Sequence, residues 1–126
     1  MKIVFDTTIL VDCLRNHKGA VEAVKLIAKN EVDGFISVIT EAELYSGRDC
    51  GTPSGATTVA SLITLFTKVN LSNDIAQKAA EYRRNFSVEI PDAIIAATAF
   101  SQDAKVWTKN IEDFKAIKEI RVEEPY

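Results

Sequence analysis

The sequence predicts a three-layer α/β/α sandwich built on a mostly parallel central sheet, and three observations carry that prediction. The runs Ile3-Val4-Phe5, Phe35-Ile36-Ser37-Val38 and Lys105-Val106-Trp107-Thr108 are short and rich in β-branched and aromatic residues, the character of strands covered on both faces. Segments of helical periodicity separate them, and this alternation builds strand–helix–strand units. The first run also stops abruptly at a charged residue, Asp6, where a helix begins.

Taken in order, Asp6 ends the first strand, and Thr7 or Thr8 is placed to cap the helix that Ile9, Leu10 and Leu14 continue. A polar break at 16–19 holds the lone histidine, His17, as a solvated loop residue. Residues 20–29 set Val21, Val24, Ile27 and Ala28 against Glu22, Lys25 and Lys29, the two faces of an amphipathic helix. Asp33-Gly34 turns the chain into the second strand, after which Thr40 caps a helix bearing Glu41, Glu43, Leu44 and Tyr45. The glycine-rich segment 48–55 reads as a loop and as the most mobile part of the chain. Residues 57–66 read as a helix and 67–71 as a short strand. Ser72 caps the next helix, with Ile75, Ala79, Tyr82 and Phe86 at helical spacing. Pro91 suits a first helical position, and the 93–100 stretch behind it is apolar almost all round, so that helix belongs inside. After the Trp107 strand come a short helical turn at 110–115 and an edge strand at 119–122. No repeat, linker or low-complexity tract intervenes, and residues 1–126 read as a single domain.

Bulk properties narrow the function. With 126 residues, 47% hydrophobic and 26% charged, the chain has room for a real core. A net charge of −3 and a pI of about 5.2 provide no basic stripe for coating nucleic acid. Bound divalent cations would nevertheless offset a local cluster of carboxylates. Cys13 and Cys50 follow no paired spacing and fit free thiols in a reducing compartment. Asp6 and Asp12 interrupt the only apolar N-terminal run, so neither a leader nor a membrane span is expected, and the expected location is the cytoplasm.

Acidic and amide side chains recur at one kind of junction. Asp6 follows the first strand, Glu43 lies early in the helix after the second, Asp92 starts the buried helix, and Asn110 with Asp113 follows the Trp107 strand. If those strands are parallel neighbours, their carboxyl ends share a rim and the acids converge there. Carboxylates packed that closely repel, and one stays protonated unless a cation is present. Oxygen donors without His or Cys suit Mg²⁺ or Mn²⁺ rather than Zn²⁺, and such ions support in-line attack on a phosphodiester. Serine, cysteine or histidine chemistry fits poorly. Structural alternatives stand beside each acid. Asp92 is also suited to complementing a helix dipole, Asp113 to capping its turn, and Asp12 either to a satisfied helix position or to orienting Asp6. Glu41 and Glu43 are two apart and cannot share a face, and Glu43 is the one expected to point inward.

Four stretches together resemble a known family: VFDTTILVD at 4–12, SVITEAELYSG at 37–47, PDAIIAATA at 91–99 and WTKNIEDF at 107–114. In order and spacing they are similar to the PIN domain, in particular the VapC toxins. The resemblance implies a PIN-like α/β/α fold, Mg²⁺- or Mn²⁺-dependent endoribonuclease activity on RNA, a homodimer, and inhibition by a small antitoxin protein. It matches Asp6, Glu43 and Asp92 to the three metal-holding acids. Thr8 falls where the family often has Ser or Asn, and Thr108 joins it as a supporting residue. The fourth acidic position falls on Asn110, a departure that removes one negative charge and weakens a second metal site unless Asp113 compensates. Arg48, Arg83, Arg84 and Lys109 are candidate phosphate contacts, each equally at home as a solvated surface charge. Two other readings stay open: an antitoxin-free PIN-like nuclease in RNA processing, and a catalytically weak PIN-like binding module.

Overall fold

Strand β1 (Lys2–Phe5) occupies the middle of a five-stranded sheet, and every pairing in that sheet is parallel. The computed structural model describes residues 1–126. From β1 the chain runs through α1 (Thr7–Leu14) and α2 (Lys18–Ala28) to β2 (Asp33–Ser37), then through α3 (Val38–Tyr45) and α4 (Pro53–Ile63) to β3 (Thr67–Val69). It continues through α5 (Asn73–Phe86) and α6 (Ile90–Gln102) to β4 (Lys105–Trp107), and closes with β5 (Val122–Glu123). The strand order is β3-β2-β1-β4-β5. The chain therefore winds outward on one side of β1 and returns to add β4 on the other. That reversal between β1 and β4 is where a parallel sheet opens a crevice beyond its strand ends.

Alternation along β1 divides the core into two layers. Ile3 and Phe5 face a cluster with Leu10, Val24, Ile36, Leu62 and Trp107, supplied largely by α1, α2 and α4. Val4 faces the other way, into a cluster with Tyr82, Ile95, Ala96, Val106 and Phe114, supplied largely by α5 and α6. Period-two exposure of a strand with both faces covered gives this result. Residues Ala93 to Ala99 of α6 are all buried, as their composition predicts. No helix is long and apolar enough to cross a membrane.

Several local expectations are corrected. Residues 48–55 are not a loop: Arg48–Gly51 form a 3-10 turn, and α4 begins at Pro53, four residues before the expected start. Thr52 caps α4, its Oγ1 accepting from the Gly55 N–H at 3.2 Å, with Pro53 preset in the first turn. Gly55 is required there because a Cβ would lie 1.9 Å from the Asp49 carbonyl oxygen. Thr40 does not cap α3; Ser37 does, through a bond from the Ile39 N–H. Neither Thr7 nor Thr8 caps α1, because Asp6 holds the cap position and both hydroxyls donate to carboxylates instead. His17 is exposed yet ordered, since its Nδ1 caps α2 by accepting from Gly19. The edge strand falls at Val122–Glu123 rather than 119–122, because Ile117 and Ile120 are drawn into the core below α5 and α6.

Candidate active site

Asp6 sits one residue past β1, and its N–H extends the sheet ladder by donating to the Trp107 carbonyl at 2.9 Å. That bond places the carboxylate at the β1/β4 crevice with only 3% of the residue exposed. Oδ2 accepts from Thr8 Oγ1 at 2.8 Å and from Thr108 Oγ1 at 2.7 Å. Each hydroxyl in turn accepts from a main-chain N–H, Thr8 from Lys109 at 3.3 Å and Thr108 from Asn110 at 2.9 Å. An N–H cannot accept, so both hydroxyl protons are committed to Asp6, an arrangement that favours the charged form. Burial pushes the Asp6 pKa up all the same, against the pull of the two hydroxyls. Both threonine bonds land on one oxygen and leave the other for a ligand.

Glu43 reaches the same cleft from α3. Thr7 Oγ1 donates to Glu43 Oε1 at 2.7 Å, and the same oxygen lies 2.9 Å from Thr40 Oγ1. Thr7 has one proton and gives it to Glu43, so the buried Thr40 hydroxyl is the donor to Thr7. Glu41, two residues earlier, points away and pairs with Lys68 at 3.1 Å. Asp92, in the first turn of α6, is half-buried. Its pKa is pushed up to about 7, first by burial and then by the charges of Asp6, Asp113, Glu43 and Glu89.

Asp6, Glu43, Asp92, Asn110 and Thr8 line one cleft of about 400 Å³. Thr108 is fully buried beneath it, and Asn110 stands at the start of the 3-10 turn Ile111–Asp113 without a side-chain capping bond. Asp113 is not among the lining residues, although its charge is felt at both Asp6 and Asp92. Asp12 also lines the cleft, but it accepts from the Tyr126 hydroxyl at 2.7 Å and does not orient Asp6.

Of the candidate phosphate contacts, Lys109 lines this cleft and Arg48 lines an adjoining groove of about 440 Å³. Arg83 and Arg84 line neither; Arg83 instead donates to the Val88 carbonyl and pairs with Glu89. Arg15 was not singled out from the sequence, yet it lines both the cleft and the groove. The signal was available, since Thr8, Val11, Asp12 and Arg15 fall at i, i+3, i+4 and i+7 on α1 and all four line the cleft.

No three carboxylates, thiols or imidazoles stand close enough to form a ligand set as placed. The chemistry of the donors nonetheless suits a hard divalent ion: all are oxygens, one is buried and held by two hydroxyls, and another has its pKa raised first by burial and then by repulsion from its acidic neighbours. A cation between them would remove that repulsion.

The family model of the PIN domain matches residues 3–120. Among solved structures, a toxin–antitoxin complex from Klebsiella pneumoniae is similar at 30% identity and a TM-score of 0.83, with 98% of each chain covered. VapBC2 from Rickettsia felis, bound to a DNA fragment from the promoter, has 23% identity and a TM-score of 0.83 over 98% of each chain. DNA-bound VapBC from Salmonella typhimurium has 23% identity and a TM-score of 0.81, covering 98% of this chain and 97% of the other. No curated protein matches. The match of the family model over nearly the whole chain, together with the all-parallel sheet and its acidic crevice, leads to one conclusion: the chain belongs to the PIN domain family.

Proposed function

We propose that this protein is the toxin of a VapBC-type pair, an endoribonuclease that hydrolyses RNA phosphodiester bonds with Mg²⁺ or Mn²⁺. The observation that carries the reading is the meeting of Asp6, Glu43 and Asp92, from three separate strand–helix regions, in one cleft at the sheet's switch point. Asp6, Glu43 and Asp92 would hold the cation, with Asn110 offering a neutral carbonyl oxygen. The cation supplies Lewis acidity toward the phosphodiester and its attacking water.

The chain's own residues do the rest. Thr8 and Thr108 aim Asp6 and oppose the rise that burial causes in its pKa, and Thr7 steadies Glu43. Asp92, whose pKa burial and its acidic neighbours push up to about 7 in the metal-free cleft, gives up its proton at little cost as a cation binds. Lys109 and Arg15 offer the only positive charges lining the cleft, where they meet backbone phosphates, and Arg48 extends that path into the adjoining groove. Three carboxylates and one amide support a single firmly held cation better than a fixed pair. The solved VapBC relatives support a small antitoxin as partner, and the resemblance to the VapC toxins supports a homodimer. Asn110 gives some weight to a second reading, a catalytically weak binding module.

Wild type incubated with a mixed RNA pool tests the proposal. Cleavage is expected with Mn²⁺, absent with EDTA, and lost in both Asp6→Asn and Asp92→Asn. Unchanged cleavage in the two variants sinks the proposal, and no Mn²⁺ binding by calorimetry favours the binding module.

A further inference from the structure

The last residues of the chain reach the acidic cleft from outside and grip one of its two cations. Beyond β5 they run alongside α2, where Tyr126 meets Lys109. Lys109 Nζ donates to the main-chain oxygen of Tyr126, pairs with Glu124 at 2.6 Å, and stands 4.4 Å from the centre of the Tyr126 ring. The Tyr126 hydroxyl donates to Asp12 Oδ2 at 2.7 Å, tying the ring to α1. The ring is also seated from α2: His17 lies 4.9 Å away, and a Cβ on Gly19 would come within 2.6 Å of the ring. Gly19 therefore leaves the space that Tyr126 fills.

This cluster matters because of the balance of charge around it. Asp6, Asp12, Glu43 and Asp92 line the cleft against only Lys109 and Arg15, so a phosphate entering it depends on those two. A free lysine samples many rotamers on its four-carbon stem, whereas an ammonium clamped at two donors keeps its third for a ligand. We propose that Tyr126 is a positioning residue for nucleic-acid binding, seating the Lys109 ammonium at the rim where a substrate phosphate enters. The proposal rests on the nuclease reading and adds to it the part that grips substrate. Tyr126 touches neither the acids that would hold metal nor the scissile bond; it acts through Lys109.

The test compares Tyr126→Ala, Lys109→Ala and the double variant in Mn²⁺-dependent RNA cleavage across a range of salt concentrations. Tyr126→Ala is expected to raise KM with little change in kcat. In both single variants the dependence of log affinity on log salt should flatten, by up to about 0.7 for one lost phosphate contact to a single strand. The double variant should be no worse than Lys109→Ala, because both act through one contact. Gly19→Ala, which displaces the ring from α2, should reproduce Tyr126→Ala, and Tyr126→Phe, which keeps the ring, should restore most of the lost affinity. An unchanged salt dependence in Tyr126→Ala, effects that add in the double variant, or a lowered KM (a tail that sequesters Lys109) overturns the proposal. If wild type binds RNA without cutting it, the nuclease reading falls. Anisotropy of a labelled single-stranded RNA then reads the same salt dependence, with the same outcomes deciding for or against Tyr126. No RNA binding by wild type overturns both.

Discussion

Asp6 and Asp92 are the same side chain in one cleft, held in opposite ways. Asp6 is almost sealed from solvent and takes two hydroxyl bonds whose protons have nowhere else to go. Asp92 is half-exposed, its carboxylate receives no side-chain hydrogen bond, and it feels the charges of Asp6, Asp113, Glu43 and Glu89. Burial raises both pKa values, but only at Asp6 do hydrogen bonds oppose the rise. The contrast separates two jobs. Asp6 is an anchor whose geometry is set before any ligand arrives, and Asp92 is a responsive group whose charge depends on what occupies the cleft.

The largest expected effect breaks the anchor itself. Asp6→Asn keeps the shape and an oxygen to accept from Thr8 and Thr108, so the fold should survive. RNA cleavage should fall by about 10³-fold or more, since the several kcal/mol that a bound cation supplies are lost. Circular dichroism checks the fold and a cleavage assay the rate; wild-type rates in a folded Asp6→Asn protein would remove Asp6 from the site. Next comes the grip on the anchor. Thr108→Val deletes one hydroxyl bond to Asp6 while preserving shape in a fully buried position. It should lower Mn²⁺ affinity by about 10–100-fold, the usual cost of losing a partner behind a metal ligand. It should also destabilise the protein by about 1–3 kcal/mol, because the Asn110 N–H and Asp6 each lose a partner. A Thr7→Val variant, whose hydroxyl serves the exposed Glu43, should lose less Mn²⁺ affinity, and its cost in stability comes from the buried Thr40 hydroxyl, which loses its acceptor.

This same contrast explains what the sequence made legible. The sheet was readable because its strands are short, doubly covered and rich in Val, Ile, Phe and Trp, and parallel pairing follows from the helices between them. Asp6, Glu43, Asp92 and Asn110 were readable as strand-end and early-helix polar residues, and parallel pairing alone brings such positions to one rim. What could not be read is who bonds to whom. The threonines after β1 look like helix caps in any linear reading, and only the tertiary approach of Thr108 and Glu43 redirects that polar layer into the site. The 48–55 segment was misread because its glycines signal a loop, whereas Gly55 answers a close backbone approach inside a helix. Arg15 was missed because a cation at the end of a helix is ordinary by itself; its place on the Thr8–Asp12 face is what gives it meaning.

The responsive acid gives a stability prediction with a definite sign. Asp92 titrates near 7 in the fold but near the ordinary carboxylate value, about 3.9, when unfolded, so between those values the native state holds the extra proton. Metal-free protein should therefore lose stability as pH rises from about 4 through 7 and recover it on acidification. Asp92→Asn should flatten that slope and stabilise the metal-free protein at pH 7.5. The gain should be about 1–2 kcal/mol once the full shift is discounted for the group's partial exposure. Saturating Mn²⁺ should reverse the ranking, stabilising wild type by about 2.7 kcal/mol at a hundredfold excess over Kd and the variant by much less. Urea melts at several pH values, with and without Mn²⁺, read all of this directly. A wild type whose stability climbs between pH 5 and 7.5 without metal would mean that Asp92 is not the strained group described.

The smallest expected effect concerns the position where the cleft carries an amide instead of an acid. Asn110 is exposed and its bonds to Thr108 and Asp113 run through its main chain, so Asn110→Asp should fold normally. A fourth carboxylate adds attraction for a cation, and it also adds repulsion toward Asp92, whose pKa would climb further. At pH 8, where Asp92 gives up its proton more readily than near pH 6, attraction dominates, and Mn²⁺ affinity should rise by about fivefold to tenfold, on the order of 1 kcal/mol for one exposed charge. Near pH 6 the added acid raises the fraction of Asp92 that must lose a proton before a cation binds, so the gain should shrink or vanish. Calorimetric Mn²⁺ titrations of both proteins at the two pH values separate these contributions. An equal gain at both would show that residue 110 and Asp92 do not share a cation, whereas a gain confined to the higher pH would show that they do.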